Sequence, residues 1–397
     1  MVGPAALKGH DRSRRVDRRS PQRVSADAVS GQAVDPRRAN SDSVTRLEKL
    51  LAEMVQREAS DLHLVAGYPP TLRVHGELQA VDAGELGADD ILPMIRPLVP
   101  AAVARRLDDA TDLDFAVQVT LQGEPVRFRV NVFIAAGQPG ACLRLIPSRI
   151  PDADSLGLPE ELVARIDALN NGLVLVTGIT GSGKTTTLAA LVQRFNAAGG
   201  CRIITIEEPI EYVYPRSPRS LVSQREVGRD VASFFDGLRC GLRQDPDILL
   251  VGEVRDRDTA QLALSAAETG HLIFATLHTA DARGAITRLV DLFPPEQHDD
   301  VRSQLALSLR SVITQHLLPP PQRGGRRVLA VEVLAANFAV RSAIRTGRIE
   351  TLDSAIQSGR RDGMISLDAH MRSLVQAGRI DAATARQFAK DPAEFDA

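Results

Sequence analysis

Apolar and polar positions change their rhythm several times along the chain. Residues 1–44 carry Arg, Asp, Ser, Gly and Pro with no apolar periodicity, which predicts a disordered tail. Order is expected from residue 45, where Leu47, Leu50, Leu51, Met54 and Val55 recur at helical spacing. A short strand is expected at 59–64, and the alternation over 69–78 reads as one half-buried strand. A helical pattern covers 88–107, and strand patterns cover 113–117, 126–133 and 141–146. In the second of these, Arg127, Arg129 and Asn131 share the face opposite Val126, Phe128, Val130 and Val132. Together these elements predict a small α+β domain over 45–149.

Pro147, Pro151 and Pro159 then mark a connector, with the hinge placed at 150–157. From residue 158 strand and helix patterns alternate. The runs 173–176, 203–206, 248–251 and 272–277 are apolar on both faces, as strands of a helix-covered parallel sheet are. Helices are expected at 231–242 and 259–268. From Ala282 the pattern reads as mostly helical, with a late strand at 328–334 and short C-terminal helices from about 336, at 338–345, 351–358 and 366–376. The fold class is therefore α/β, with a larger domain over 158–397.

Length agrees with more than one core, since 397 residues exceed a typical single domain. A net charge of −2 gives no basic field, Trp is absent and Tyr is scarce, so no nucleic acid partner is expected. Cys142, Cys201 and Cys240 are scattered without a Cys-x-x-Cys pair, which argues against disulfide or zinc frameworks. No apolar run reaches the length of a membrane span and no secretory leader pattern follows Met1, so a cytoplasmic location is the expectation.

The chemistry gathers at 178–185, Gly-Ile-Thr-Gly-Ser-Gly-Lys-Thr, between an apolar strand and a helix. That context is what a phosphate-binding loop requires. Gly178, Gly181 and Gly183 allow the backbone to wrap its N–H groups around phosphate oxygens; Thr180, Ser182 and Thr186 complete the cradle. Lys184 can reach the β and γ phosphates of ATP, and the Thr185 hydroxyl can sit on Mg²⁺. Thr177, Glu207, Glu253 and His278 fall at the C-ends of separate strands, the edge where ligands of such sheets bind. Glu253 and Glu207 are both candidates to orient or deprotonate an attacking water. Glu253 follows Gly252 rather than an Asp, so its contact with Mg²⁺ is expected through water. His271 and His278 flank one strand and are candidates to sense the γ-phosphate. Arg127, Arg129 and Arg144 admit two readings: a solvated sheet face, or arginine fingers reaching a neighbour's nucleotide.

Residues 178–185, 206–211 (Ile-Glu-Glu-Pro-Ile-Glu), 245–256 and 267–279 resemble the Walker A, Asp box, Walker B and His box of secretion ATPases. Within that superfamily, Ser60-Asp61-Leu62-His63-Leu64, Arg127-Phe128-Arg129-Val130-Asn131 and residues 339–348 are similar to type IV pilus retraction ATPases of the PilT and PilU kind. The tetracysteine module of extension ATPases has no counterpart. The second box residue is Glu208 where Asp is usual, and Arg348 stands where Lys is usual. The resemblance implies a RecA-like core preceded by a PAS-like domain, a homo-hexameric ring, and Mg-dependent ATP hydrolysis. It also implies work against an inner-membrane pilus platform protein from the cytoplasmic side, with peripheral membrane association and paralogous pilus ATPases as further partners. A pilus extension or secretion motor, an accessory retraction ATPase and a nucleotide switch without motor action are the rival readings.

Overall fold

The computed structural model describes residues 41–396, apart from 75, 102–103, 105–106, 108–111, 148 and 323–325. The tail expected over 1–44 lies, as far as residue 40, outside them. Helix α1 (Ser41–Gln56) takes in the last four tail residues. It packs with α2 (Ala88–Ile95) on one face of an antiparallel sheet in the order β3-β2-β1-β6-β5-β4. The strands are β1 (Asp61–Val65), β2 (Thr71–Val74), β3 (Glu77–Ala80), β4 (Asp112–Leu121), β5 (Glu124–Ala135) and β6 (Gln138–Ile146).

Two expectations for this lobe need correction. The single strand over 69–78 is a hairpin, β2 and β3, which turns at Gly76 in the left-handed region (φ +93°). The helix expected to reach 107 ends at Ile95, because Pro97 lacks the N–H that another helical turn would use.

The second lobe carries a seven-stranded sheet in the order β13-β12-β7-β11-β10-β8-β9. Its strands are β7 (Gly172–Thr177), β8 (Arg202–Glu207), β9 (Leu221–Glu226), β10 (Ile248–Val251), β11 (Leu272–Leu277), β12 (Leu309–Leu318) and β13 (Val328–Ala335). All neighbours pair parallel except β12 with β13. Helices α3 (Glu160–Asp167) and α4 (Lys184–Ala198) cover one face. Helices α5 (Phe234–Gly241), α6 (Arg257–Glu268), α7 (Ala282–Val290) and α8 (His298–Ser308) cover the other. The C-terminal helices α9 (Phe338–Arg345), α10 (Leu352–Ser358), α11 (Leu367–Gln376) and α12 (Ala382–Phe388) pack beyond β13. This α/β core has the RecA-like character that the resemblance implied.

The mostly helical reading after Ala282 is overturned by β12, which is ten residues long and lies directly beside the phosphate-loop strand β7. Strand β9 was likewise unforeseen. Helix α5 starts at Phe234 rather than 231, where the Ser233 hydroxyl accepts the Asp236 N–H as an N-cap.

Candidate active site

Parallel strands end at a common edge, so β7, β8, β10 and β11 deliver their following residues to one place. The loop after β7 enters α4 through three glycines in the left-handed region: Gly178 (φ +140°), Gly181 (+80°) and Gly183 (+90°). A Cβ on Gly178 would stand 2.5 Å from both the Gln315 carbonyl oxygen and Ser182 Oγ, so no larger residue fits there. No side chain caps the N-terminus of α4, so its first-turn N–H groups face the loop without intrahelical partners. Ser182 Oγ and Gln315 Oε1 are buried without a hydrogen-bond partner. An uncapped helix start, an orphaned hydroxyl beside it and a glycine-walled hollow together fit a phosphate chain.

Lys184 is buried, and its Nζ donates to the carbonyls of Gly178 and Ile179 at 2.8 and 3.2 Å. The same Nζ lies 3.5 Å from His278 Nδ1, just beyond β11. His278 Nε2 in turn lies 3.4 Å from Glu253 Oε1, beyond β10. Glu253 Oε2 is held at 2.8 Å by Arg255, which also reaches Glu208 at 2.6 Å. Burial pushes the Lys184 ammonium down, and the charge of Glu253 opposes that. Burial also works against the charge of Glu253, but Arg255 and then His278 outweigh it and hold the carboxyl below its usual range. A cation, an imidazole and an ionised carboxylate thus stand in a row at the mouth of the loop.

Glu207 sits deeper. It is 7% exposed; its Oε1 accepts from Thr205 Oγ1 at 2.6 Å and from Gln224 Nε2 at 3.0 Å. Burial raises its pKa to about 7 against these two hydrogen bonds. Behind it runs the segment 208–214, tied to the N-terminal lobe by Arg127, which donates to the carbonyls of Glu211 and Ile210 at 2.7 and 2.9 Å. At the wall shared with β12, Thr177 meets Thr314 at 2.8 Å and Gln315 Nε2 donates to Thr187 Oγ1 at 2.9 Å.

Residues 38–391 match the family described as type II/IV secretion system protein. The chain belongs to this family. It is similar to the type IV pilus retraction ATPase PilT of Pseudomonas aeruginosa, 43% identical over 88% of this chain and 99% of that one. To the type IV pilus ATPase PilU of the same organism it is 36% identical, over 84% and 86%. Among solved structures it resembles the pilus retraction motor PilT with bound ADP: 40% identity, TM-score 0.77, covering 87% of this chain and 98% of that one.

In this secretion-family chain the phosphate loop, Lys184, Thr185, Glu253 and His278 come together, with Glu207 buried behind them. His271 does not join them. It precedes β11, and its Nδ1 lies 3.1 Å from the Ala266 carbonyl oxygen. The six-residue strand separates it from the loop edge by roughly 20 Å, so within one subunit it cannot sense a γ-phosphate. Arg129 is bound to Asp114 (2.5 Å) and Arg144 to Asp61 (2.8 Å) in their own lobe. The polar face is therefore an ion-paired one; Arg127 crosses from it to the 210–211 carbonyls of the second lobe, and Arg129 also comes within 3.8 Å of the Glu211 carboxylate there. The sequence reading passed over Arg255, Gln224, Tyr212 and Gln315. Arg255 lies within the 245–256 stretch and Tyr212 directly after the 206–211 one, so both were open to notice; Gln224 and Gln315 were hidden with β9 and β12.

Proposed function

We propose that this chain is an ATP-hydrolysing motor that powers type IV pilus retraction from the cytoplasmic face of the inner membrane. One observation carries the chemistry: Lys184, His278 and Glu253 are joined at the open end of a glycine-rich loop and an uncapped helix. MgATP supplies the phosphoanhydride whose cleavage releases the energy. Lys184 exchanges its two loop carbonyls for phosphate oxygens, and the Thr185 hydroxyl would hold the cation that neutralises phosphate charge. A cation bound with the nucleotide would be held by the Thr185 hydroxyl together with phosphate oxygens, with Glu253 reaching it through water. Glu253, kept ionised by Arg255, orients and deprotonates the water. His278 reports the change to β11.

The motor is read as a homo-hexamer with a PAS-like N-terminal lobe, hinged at 150–157, and it acts on a pilus platform protein. Arg127, Arg129 and Arg144 serve a neighbour's nucleotide only on releasing the partners they hold here. Identity is higher to PilT than to PilU, which favours retraction proper over an accessory role. Lys184→Ala and Glu253→Ala are each expected to lower ATP turnover by at least 100-fold. Full turnover in either would remove the assignment. In the native host, deletion is expected to leave excess pili that do not retract, and normal retraction would exclude this role.

A further inference from the structure

The segment after β8 brings a buried phenol against the phosphate-loop helix. Tyr212 is 5% exposed, and its hydroxyl lies 3.0 Å from Thr186 Oγ1. The backbone that carries it is anchored at three successive residues. Arg127 holds the carbonyls of Ile210 and Glu211, Glu226 Oε2 accepts the Ile210 N–H at 3.1 Å, and Gln224 Nε2 donates to the Tyr212 carbonyl at 2.7 Å. The contact with Thr186 is therefore fixed by the fold and is not the chance meeting of a loose loop.

Thr186 is the third residue of α4, directly after the residue read as the cation ligand. A helical threonine commonly turns its hydroxyl back to a carbonyl one turn earlier; this one meets Tyr212. A hydroxyl has one proton to give and two lone pairs. With Tyr212 donating, the Thr186 proton is free for an anion at the helix start. With Thr186 donating to Tyr212, only lone pairs would face that anion. Burial pushes the Tyr212 phenol up, against its bond with Thr186, so it remains an O–H group at neutral pH. We propose that Tyr212 is a positioning residue for the nucleotide: it donates to Thr186 and so commits the Thr186 proton to the phosphate chain. Such hydroxyl chains strengthen one another. Because Arg127 anchors the same segment, the grip on phosphate is tied to the position of the N-terminal lobe.

This inference rests on the nucleotide site proposed above, and calorimetric titration of the full chain with ADP separates the two. Four proteins are compared: wild type, Tyr212→Phe, Thr186→Val and the double variant. Phe keeps the buried ring, and Val keeps the shape of Thr, so melting temperatures verify that all four are folded. Each single change is expected to weaken ADP binding about threefold to tenfold, as loss of one neutral hydrogen bond does. The double variant is expected to bind no worse than the weaker single. In turnover, Tyr212→Phe is expected to raise KM by a similar factor with kcat within about twofold, a split that a merely structural role would not produce. Tyr212→Phe binding ADP as wild type does, or a double variant whose loss is the product of the singles, overturns the role of Tyr212 while leaving the site intact. Wild type that binds no ADP overturns the site itself.

Discussion

Glu207→Gln is the sharpest test of how the buried carboxyl behaves. Both hydrogen bonds to Glu207 end on Oε1, so a glutamine can accept them with its own carbonyl oxygen and only the ionisable oxygen changes. Burial raises the Glu207 pKa from 4.5 to about 7 in the folded chain. Below 4.5 both folded and unfolded states carry the proton and no penalty arises. As pH rises through the window, the unfolded chain releases its proton first, and folding stability falls until the folded carboxyl also ionises. At about 1.4 kcal/mol per tenfold change in proton affinity, the full penalty is roughly 3 kcal/mol, of which about 2 to 3 kcal/mol develops between pH 5 and pH 8. Urea unfolding of variant and wild type at both pH values measures it, because other titrating groups cancel in the difference. The variant is expected to gain on wild type by that amount at pH 8 relative to pH 5. A difference constant to within about 0.5 kcal/mol would refute the reasoning.

Arg255→Gln removes the cation that holds Glu253 below its usual range; the acid limb of the pH profile of kcat/KM is expected to move to higher pH, and an unmoved limb would mean that another group sets it. Gly237→Ala would place a Cβ 2.7 Å from Ile206 Cγ2, where α5 packs on β8. Overpacking there should cost about 1 to 3 kcal/mol, read by urea unfolding, and no cost would show that the helix can shift freely. Glu332 on β13 is buried and joins the Ala282 N–H to Lys390 Nζ. Glu332→Gln, which keeps the first bond, should lose about 1 kcal/mol, and Glu332→Ala about 1 to 3 kcal/mol more, in the same assay.

Local chemistry was legible where apolar runs were uninterrupted. Strands β7, β8, β10 and β11 carry nearly uninterrupted apolar runs, and the polar residues at the site stand at or just beyond their C-terminal ends. Strand β12 was not legible because Ser311, Thr314 and Gln315 are fully buried polar residues inside it. Their partners are Leu334, Thr177 and Thr187, all distant in sequence, so a local pattern counts them as surface. The strand also follows α8 without a Gly or Pro to mark the change, and its register with β7 shifts between Leu309 and Ser311. The opposite error befell His271: spacing placed two histidines around one strand, but only direction along the strand tells which lies at the working edge.

The apolar interiors of the two lobes have no residue in common: one ends at Leu143, and the others begin at Ala153. The hydrogen bonds and ion pair that join them run through Arg127, Arg129 and the carbonyl or carboxylate groups of 210–211. Such a seam transmits direction but little cohesion. Heating should therefore melt the chain in two steps, each lobe answering only to substitutions within it, so that stability in one half can drift without unsettling the other.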